Sequence, residues 1–185
     1  MFHMTGCDVE STPEAAALRL VGHDGAVVGP VVFAGVRFWA CVDVDIAEIA
    51  RRRSEGVGAL SDPDALRDHL DAGRSPAVGL LGCLVHEHTP TRSLQQASML
   101  AGYAPRSILI HDGDDVLAVA VDAALLDQGV IVDRGGGRLE LVATPGPRVP
   151  GHGLDARELA LRETVYAAWL TTADADFEAE VSARR

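Results

Sequence analysis

Residues 77–85, Ala-Val-Gly-Leu-Leu-Gly-Cys-Leu-Val, form an uninterrupted apolar run that ends against His86-Glu87-His88-Thr89-Pro90. A run this short, without alternation, reads as a strand covered on both faces. The residues after it read as a helix start, with Thr89 as the cap and Pro90 at the first helical position, where a missing amide hydrogen costs little. A strand buried on two sides and followed at once by a helix restricts the chain to a layered α/β or α+β architecture.

The neighbouring segments extend this frame. Positions 36–44 alternate, placing Val36, Phe38, Ala40, Val42 and Val44 on one face and Arg37, Trp39, Cys41 and Asp43 on the other. Shorter strand signals lie at 18–21, 26–28 and 31–33, the last two separated by Gly29-Pro30, which belongs at a sheet edge because proline lacks a ladder donor. Gly22-His23-Asp24-Gly25 reads as a turn. Two hairpins are expected later. One pairs 107–111 with 116–121 around Asp112-Gly113-Asp114-Asp115, and the other pairs 129–132 with 138–142 around Arg134-Gly135-Gly136-Gly137.

Helices are expected over 46–54, from Ser61 to Gly73, from Thr89 to Gly102 and from Asp155 to 172. Asp45 with Glu48 and Asp155 with Glu158 have the spacing of capping pairs. Arg51-Arg52-Arg53 place cations at a helix end, where the dipole favours them. The chain therefore reads as a single layered domain over 14–172, with a mixed sheet, two hairpins and about four helices. Residues 1–13 read as a flexible arm. The segment 144–153 is a loop, and 173–185 an acidic tail or short helix in which only Phe177 favours docking.

Composition narrows the function classes. At 185 residues the core can be large enough to need no metal or disulfide staple, so no cofactor is required for folding. With 4% aromatic residues and a formal charge of -11, the chain argues against a general nucleic-acid binder and an anionic-membrane binder. Cys7, Cys41 and Cys83 cannot all pair within one chain, and the acidic start lacks the pattern of a secretory signal. A soluble, cytoplasmic, reduced protein is the expectation.

The chemistry centres on the opening segment. Whether the protein is an enzyme stays open at this level, and three readings stand beside one another. In the first, Cys83 is a nucleophile, His86 or His88 manages its proton, Glu87, Asp112 or Glu163 orients the base, and Arg92 at the helix start holds a small polar or anionic metabolite. An ideal strand would separate Cys83 from the histidines, and a turn after Val85 would gather them. In the second, a divalent metal is held by His86 and His88, with His111, His152, Glu87, Asp43 or Asp112 completing the shell of a hydrolase. The third is a noncatalytic accessory or regulatory domain that binds a protein partner or a second copy of itself. Its surface is the Arg37, Trp39 and Cys41 face or the later hairpins.

Overall fold

The computed structural model describes residues 12–22, 24–147 and 154–183, of which 173–183 are described by their backbone alone. Most of the expected arm, with Cys7, lies outside the described residues, as do His23, His152 and the side chain of Phe177. The elements run α1 (Pro13–Leu20), β1 (Ala26–Phe33), β2 (Val36–Val44), α2 (Ile46–Glu55), α3 (Pro63–Asp71), β3 (Val78–Val85), α4 (Pro90–Met99), β4 (Arg106–His111), α5 (Val116–Leu125), β5 (Gln128–Asp133), β6 (Leu139–Ala143) and α6 (Ala156–Ala183).

The six strands lie in one sheet in sequence order, β1 to β6. Pairing is antiparallel from β1 to β3, parallel from β3 to β5 and antiparallel again between β5 and β6. The mixed α/β single domain expected from the sequence is thus what the chain forms. Parallel neighbours need a crossover, and α4 and α5 supply the two that join β3 to β4 and β4 to β5.

The two sheet faces are covered unequally. Val36, Phe38, Ala40, Val42, Cys83, Val85, Ile108, Ile110, Val130 and Val132 share one large core with Leu94 and Ala97 of α4, Val119 and Ala123 of α5, and Leu161 and Val165 of α6. Each fully buried aliphatic side chain in such a core contributes about 1.5–3 kcal/mol. The opposite face holds a smaller cluster, Trp39, Cys41, Leu84, Leu109 and Ile131, closed among the described residues by Ala17 and Leu18 of α1.

Local signals account for most element ends. Glu48 N donates to Asp45 Oδ1 at 2.9 Å, Glu158 N to Asp155 Oδ1 at 2.7 Å and Arg92 N to Thr89 Oγ1 at 3.4 Å, so three expected caps are formed. Gly56, at φ 68, closes α2 in the left-handed region that glycine tolerates best. The strand signals at 26–28 and 31–33 join into β1, an edge strand whose register shifts between Val28 and Val31, around Gly29-Pro30. The second expected hairpin is present as β5 and β6. In place of a tail or separate short helix, the backbone of α6 continues to Ala183.

Two expectations are corrected. The strand signal at 18–21 falls largely within α1: Pro13 opens the helix, Thr12 Oγ1 accepts from Ala15 N at 3.2 Å, and Ala15, Ala17 and Leu18 are fully buried. A three-residue alternation yields there to a proline-led start and an alanine run, both of which favour helix. The first expected hairpin is also absent, because 116–121 belongs to α5. Asp115 caps that helix, accepting from Ala118 N at 3.2 Å, and β4 pairs directly and in parallel with β5. Val119 and Ala123, four residues apart, are its buried positions, which is the helical period.

Among the described residues no helix is long and apolar enough to cross a membrane.

Candidate active site

Strand alternation separates the residues of the opening segment. Cys83 and Val85 point into the large core, whereas Leu84 belongs to the smaller cluster on the α1 face. His86, two residues beyond Leu84, leaves the sheet on that α1 face. In the adjacent parallel strand, His111 follows Leu109 with the same parity. Two imidazoles therefore emerge side by side at the carboxyl ends of β3 and β4, where strands hand over to loops and ligand groups commonly converge.

Helix α1 adds the third group. Its second residue, Glu14, reaches across so that Glu14 Oε1 lies 3.0 Å from His86 Nδ1. A carboxylate accepts and does not donate, so the proton of this bond sits on Nδ1. His86 Nε2 is thereby turned away from the protein and toward His111 Nε2, 3.4 Å distant. The two rings meet edge to face, with centroids 5.2 Å apart and an interplanar angle of 66°. His86 is 23% exposed and Glu14 14%, while His111 is open to solvent.

The backbone of His111 is also held. Its N–H donates to Asp114 Oδ2 at 2.9 Å, so the acidic turn expected to close a hairpin instead fixes the end of β4. Asp133 stands opposite His111 in the parallel β4–β5 register, and its Oδ1 accepts from Gly135 N at 2.8 Å. Gly135, Gly136 and Gly137, at φ 76, 61 and 77, carry the chain back into β6 through a conformation that side chains resist.

The remaining sequence candidates lie elsewhere. Cys83 is 1% exposed and faces the opposite side of the sheet from His86. Burial pushes its thiol up to about 12, with Cys41 adding to the rise and Arg106 opposing it, and the thiolate is the nucleophilic form. The turn after Val85 thus does not gather Cys83 with the histidines. His88 is exposed. Arg92 pairs with Glu87 at 3.4 Å and lines a groove of about 470 Å³ with Thr89, Thr91, Gln95, Gln96 and Met99 along α4, a helix of the large-core side. Glu87 N also donates to Ser93 Oγ at 3.0 Å, so this glutamate braces the start of α4.

The acids proposed to orient a base are engaged as well. Glu163 is held by Arg52, and Asp112 pairs with Arg134. Trp39 and Cys41 are 8% and 0% exposed, and the Arg37 guanidinium stacks 5.5 Å from the Trp39 ring centre, so the mixed face expected on β2 is mostly covered. Among the described residues no group of three or more His, Cys, Asp or Glu side chains is gathered as a metal site. Glu14 is the residue that sequence reasoning missed. Thr12-Pro13-Glu14 signals a helix start, but nothing local to it indicates that the helix lands beside His86.

Compared with known proteins, the chain matches no family model, no curated protein and no solved structure.

Proposed function

We propose that the protein is an enzyme acting on a small polar or anionic substrate at the Glu14, His86 and His111 corner, with His86 as its general acid–base group. The observation that carries this reading is the 3.0 Å contact between Glu14 Oε1 and His86 Nδ1. It holds the ring in one tautomer and leaves Nε2 facing the solvent-open side, the arrangement by which a carboxylate prepares an imidazole to take a proton. Glu14 is a positioning residue, and His111 is the second imidazole facing the reacting groups. Cys83 has no part in this mechanism, and Arg92, on α4 at the large-core side of the sheet, is not its anchor.

A screen of small esters, amides and phosphoesters, followed by His86→Gln and Glu14→Gln on the best substrate, tests the assignment. His86→Gln should lower kcat by roughly 10²-fold or more with the fold intact. Glu14→Gln should lower kcat and alter the pH–rate profile, because the negative charge that favours a protonated His86 is removed. Full turnover in His86→Gln would overturn the reading.

A second reading, association with another copy of the chain, is favoured by α5. Leu117, Val121 and Leu125 are 76%, 55% and 80% exposed and lie one turn apart in a single stripe. On a chain of net charge -11, this stripe interrupts the charge that would keep copies apart, and a two-fold axis brings like apolar residues together. Leu125→Lys should shift sedimentation from dimer to monomer. A wild-type chain that sediments as a monomer at high concentration would remove this reading.

A further inference from the structure

We propose that His111 is the ring that meets the substrate and that His86 takes the substrate's proton through it, an inference that rests on the acid–base reading of this corner and adds the route of the proton. The route follows from where the hydrogens sit on the three groups. Glu14 accepts from His86 Nδ1, so the neutral His86 ring has its lone pair on Nε2. That lone pair faces His111 Nε2 at 3.4 Å, and a hydrogen bond between the two nitrogens then requires the hydrogen on His111. A substrate approaching His86 Nε2 finds it occupied by the second ring. His111 in turn is left with a lone pair on Nδ1, and among the described residues nothing is bonded to that atom.

The base of this corner is therefore set one ring outward from the carboxylate that supports it. A water or substrate hydroxyl gives its hydrogen to His111 Nδ1 and keeps the electron pair of the O–H bond, which makes its oxygen the nucleophile. As that N–H bond forms, His111 Nε2 releases its hydrogen to His86 Nε2, and the positive charge comes to rest on His86 beside Glu14. The reverse shift delivers one proton to the leaving oxygen or nitrogen. Neither ring has to turn, because the same two nitrogens are bonded before and after and only the direction of donation changes. At 3.4 Å the ring-to-ring bond is long, and catalytic bonds of this kind tighten as the reaction proceeds.

The surroundings suit these two roles. His86 is 23% exposed and held on one side by α1, whereas the His111 ring is open to solvent at the end of β4. Asp114 pins the backbone of His111, so the outer ring is carried on a fixed strand end. Asp133 stands beside it in the sheet register, but its Oδ1 is engaged by Gly135 N. A small polar substrate can thus reach the outer nitrogen from the strand ends without entering the fold.

Two measurements test the relay. Nitrogen NMR of the isotope-labelled full chain in mildly alkaline buffer reports which ring nitrogen carries hydrogen, with no substrate needed. His86 is expected as the Nδ1–H tautomer and His111 as the Nε2–H tautomer, and an Nε2–H tautomer at His86 overturns the proposal. On the ester, amide or phosphoester turned over fastest in the screen, His111→Ala should lower kcat by roughly 10²-fold or more. Free imidazole in the buffer should restore part of that loss, above its own uncatalysed rate, and should fail to do so when His86→Gln is added to His111→Ala. Equal restoration in the single and double variants, or full turnover in His111→Ala, overturns the relay. The two readings fail separately. Loss of turnover in His86→Gln with full turnover in His111→Ala removes the relay alone, whereas full turnover in His86→Gln removes the acid–base reading on which it rests.

Discussion

Two regions of this molecule join a carboxylate to a nitrogen base, and they do it to different ends. Beneath α6, Arg52 is fully buried: its Nε donates to Glu48 Oε1 at 2.7 Å, and its two Nη atoms donate to the two oxygens of Glu163 at 2.7 and 2.8 Å. Leu60 N adds a bond to Glu163 Oε2 at 2.8 Å, and Tyr166 covers the guanidinium at 5.2 Å. At the α1 corner, Glu14 binds one nitrogen of His86 and leaves the other facing a second imidazole near solvent. A guanidinium keeps its charge, so a buried one has to be surrounded and used up. An imidazole can exchange a proton, so a ring nitrogen held near solvent is enough for chemistry. Saturation of a buried charge marks the structural site, and an oriented imidazole paired with a second one at the exposed edge marks the candidate reactive one.

The comparison can be broken most forcefully at Glu163. Glu163→Ala strands the Arg52 charge and should cost about 3–5 kcal/mol in urea unfolding, whereas the double variant Arg52→Met with Glu163→Gln, which removes both buried charges and keeps an acceptor for Leu60 N, should cost less. If Glu163→Ala lowers turnover but leaves stability unchanged, the two regions have been assigned the wrong way round.

Acid should reach the saturated region through Glu48. Hydrogen bonds from Arg51 and Arg52, working against burial, bring its carboxyl down to about 2 from an ordinary 4.5. A depressed folded-state value means the contribution is present above about 4.5 and fades as the pH falls toward 2. Unfolding midpoints across that window should decline in the wild type and decline less in Glu48→Gln. Equal slopes would mean that Glu48 is not the coupling group.

Cys83→Ser sharpens the comparison from the core side. It places a hydroxyl in an apolar site and should cost about 1–3 kcal/mol, while kcat on any identified substrate stays unchanged. A large fall in kcat with stability retained would restore the thiol mechanism. Smaller still, Thr12→Ala removes the cap of α1 and should cost about 1 kcal/mol. Because α1 carries Glu14, the same variant should move the pH–rate profile in the direction of Glu14→Gln, and an unmoved profile would separate the cap from the site.

Legibility from sequence followed the range of the interactions. The caps at Asp45, Thr89 and Asp155 and the glycine-led return into β6 were readable because each depends on residues within a few positions. The alternation of β2 was readable because one sheet face is a continuous core. Helix α5 was not, since Val116, Val119 and Val121 also suit a strand, and only the parallel pairing of β4 with β5 requires a crossover at that point. At the site, His86 stood out in the sequence, and His111 was noted without being linked to it. Their partner Glu14 lies 72 positions before His86, beyond the reach of any local pattern.

By itself, then, the sequence determined a layered α/β domain, the covered strand at 77–85, the helix start at Thr89 and the concentration of imidazoles after Val85. Tertiary structure decided which of those groups meet. Strand parity sends Cys83 into the large core and His86 to the other face, parallel pairing brings His111 alongside, and the landing of α1 supplies the carboxylate. The reason is that secondary structure answers to neighbours a few residues apart, whereas a reaction centre depends on contacts whose sequence separation is set only by how the sheet and its helices pack.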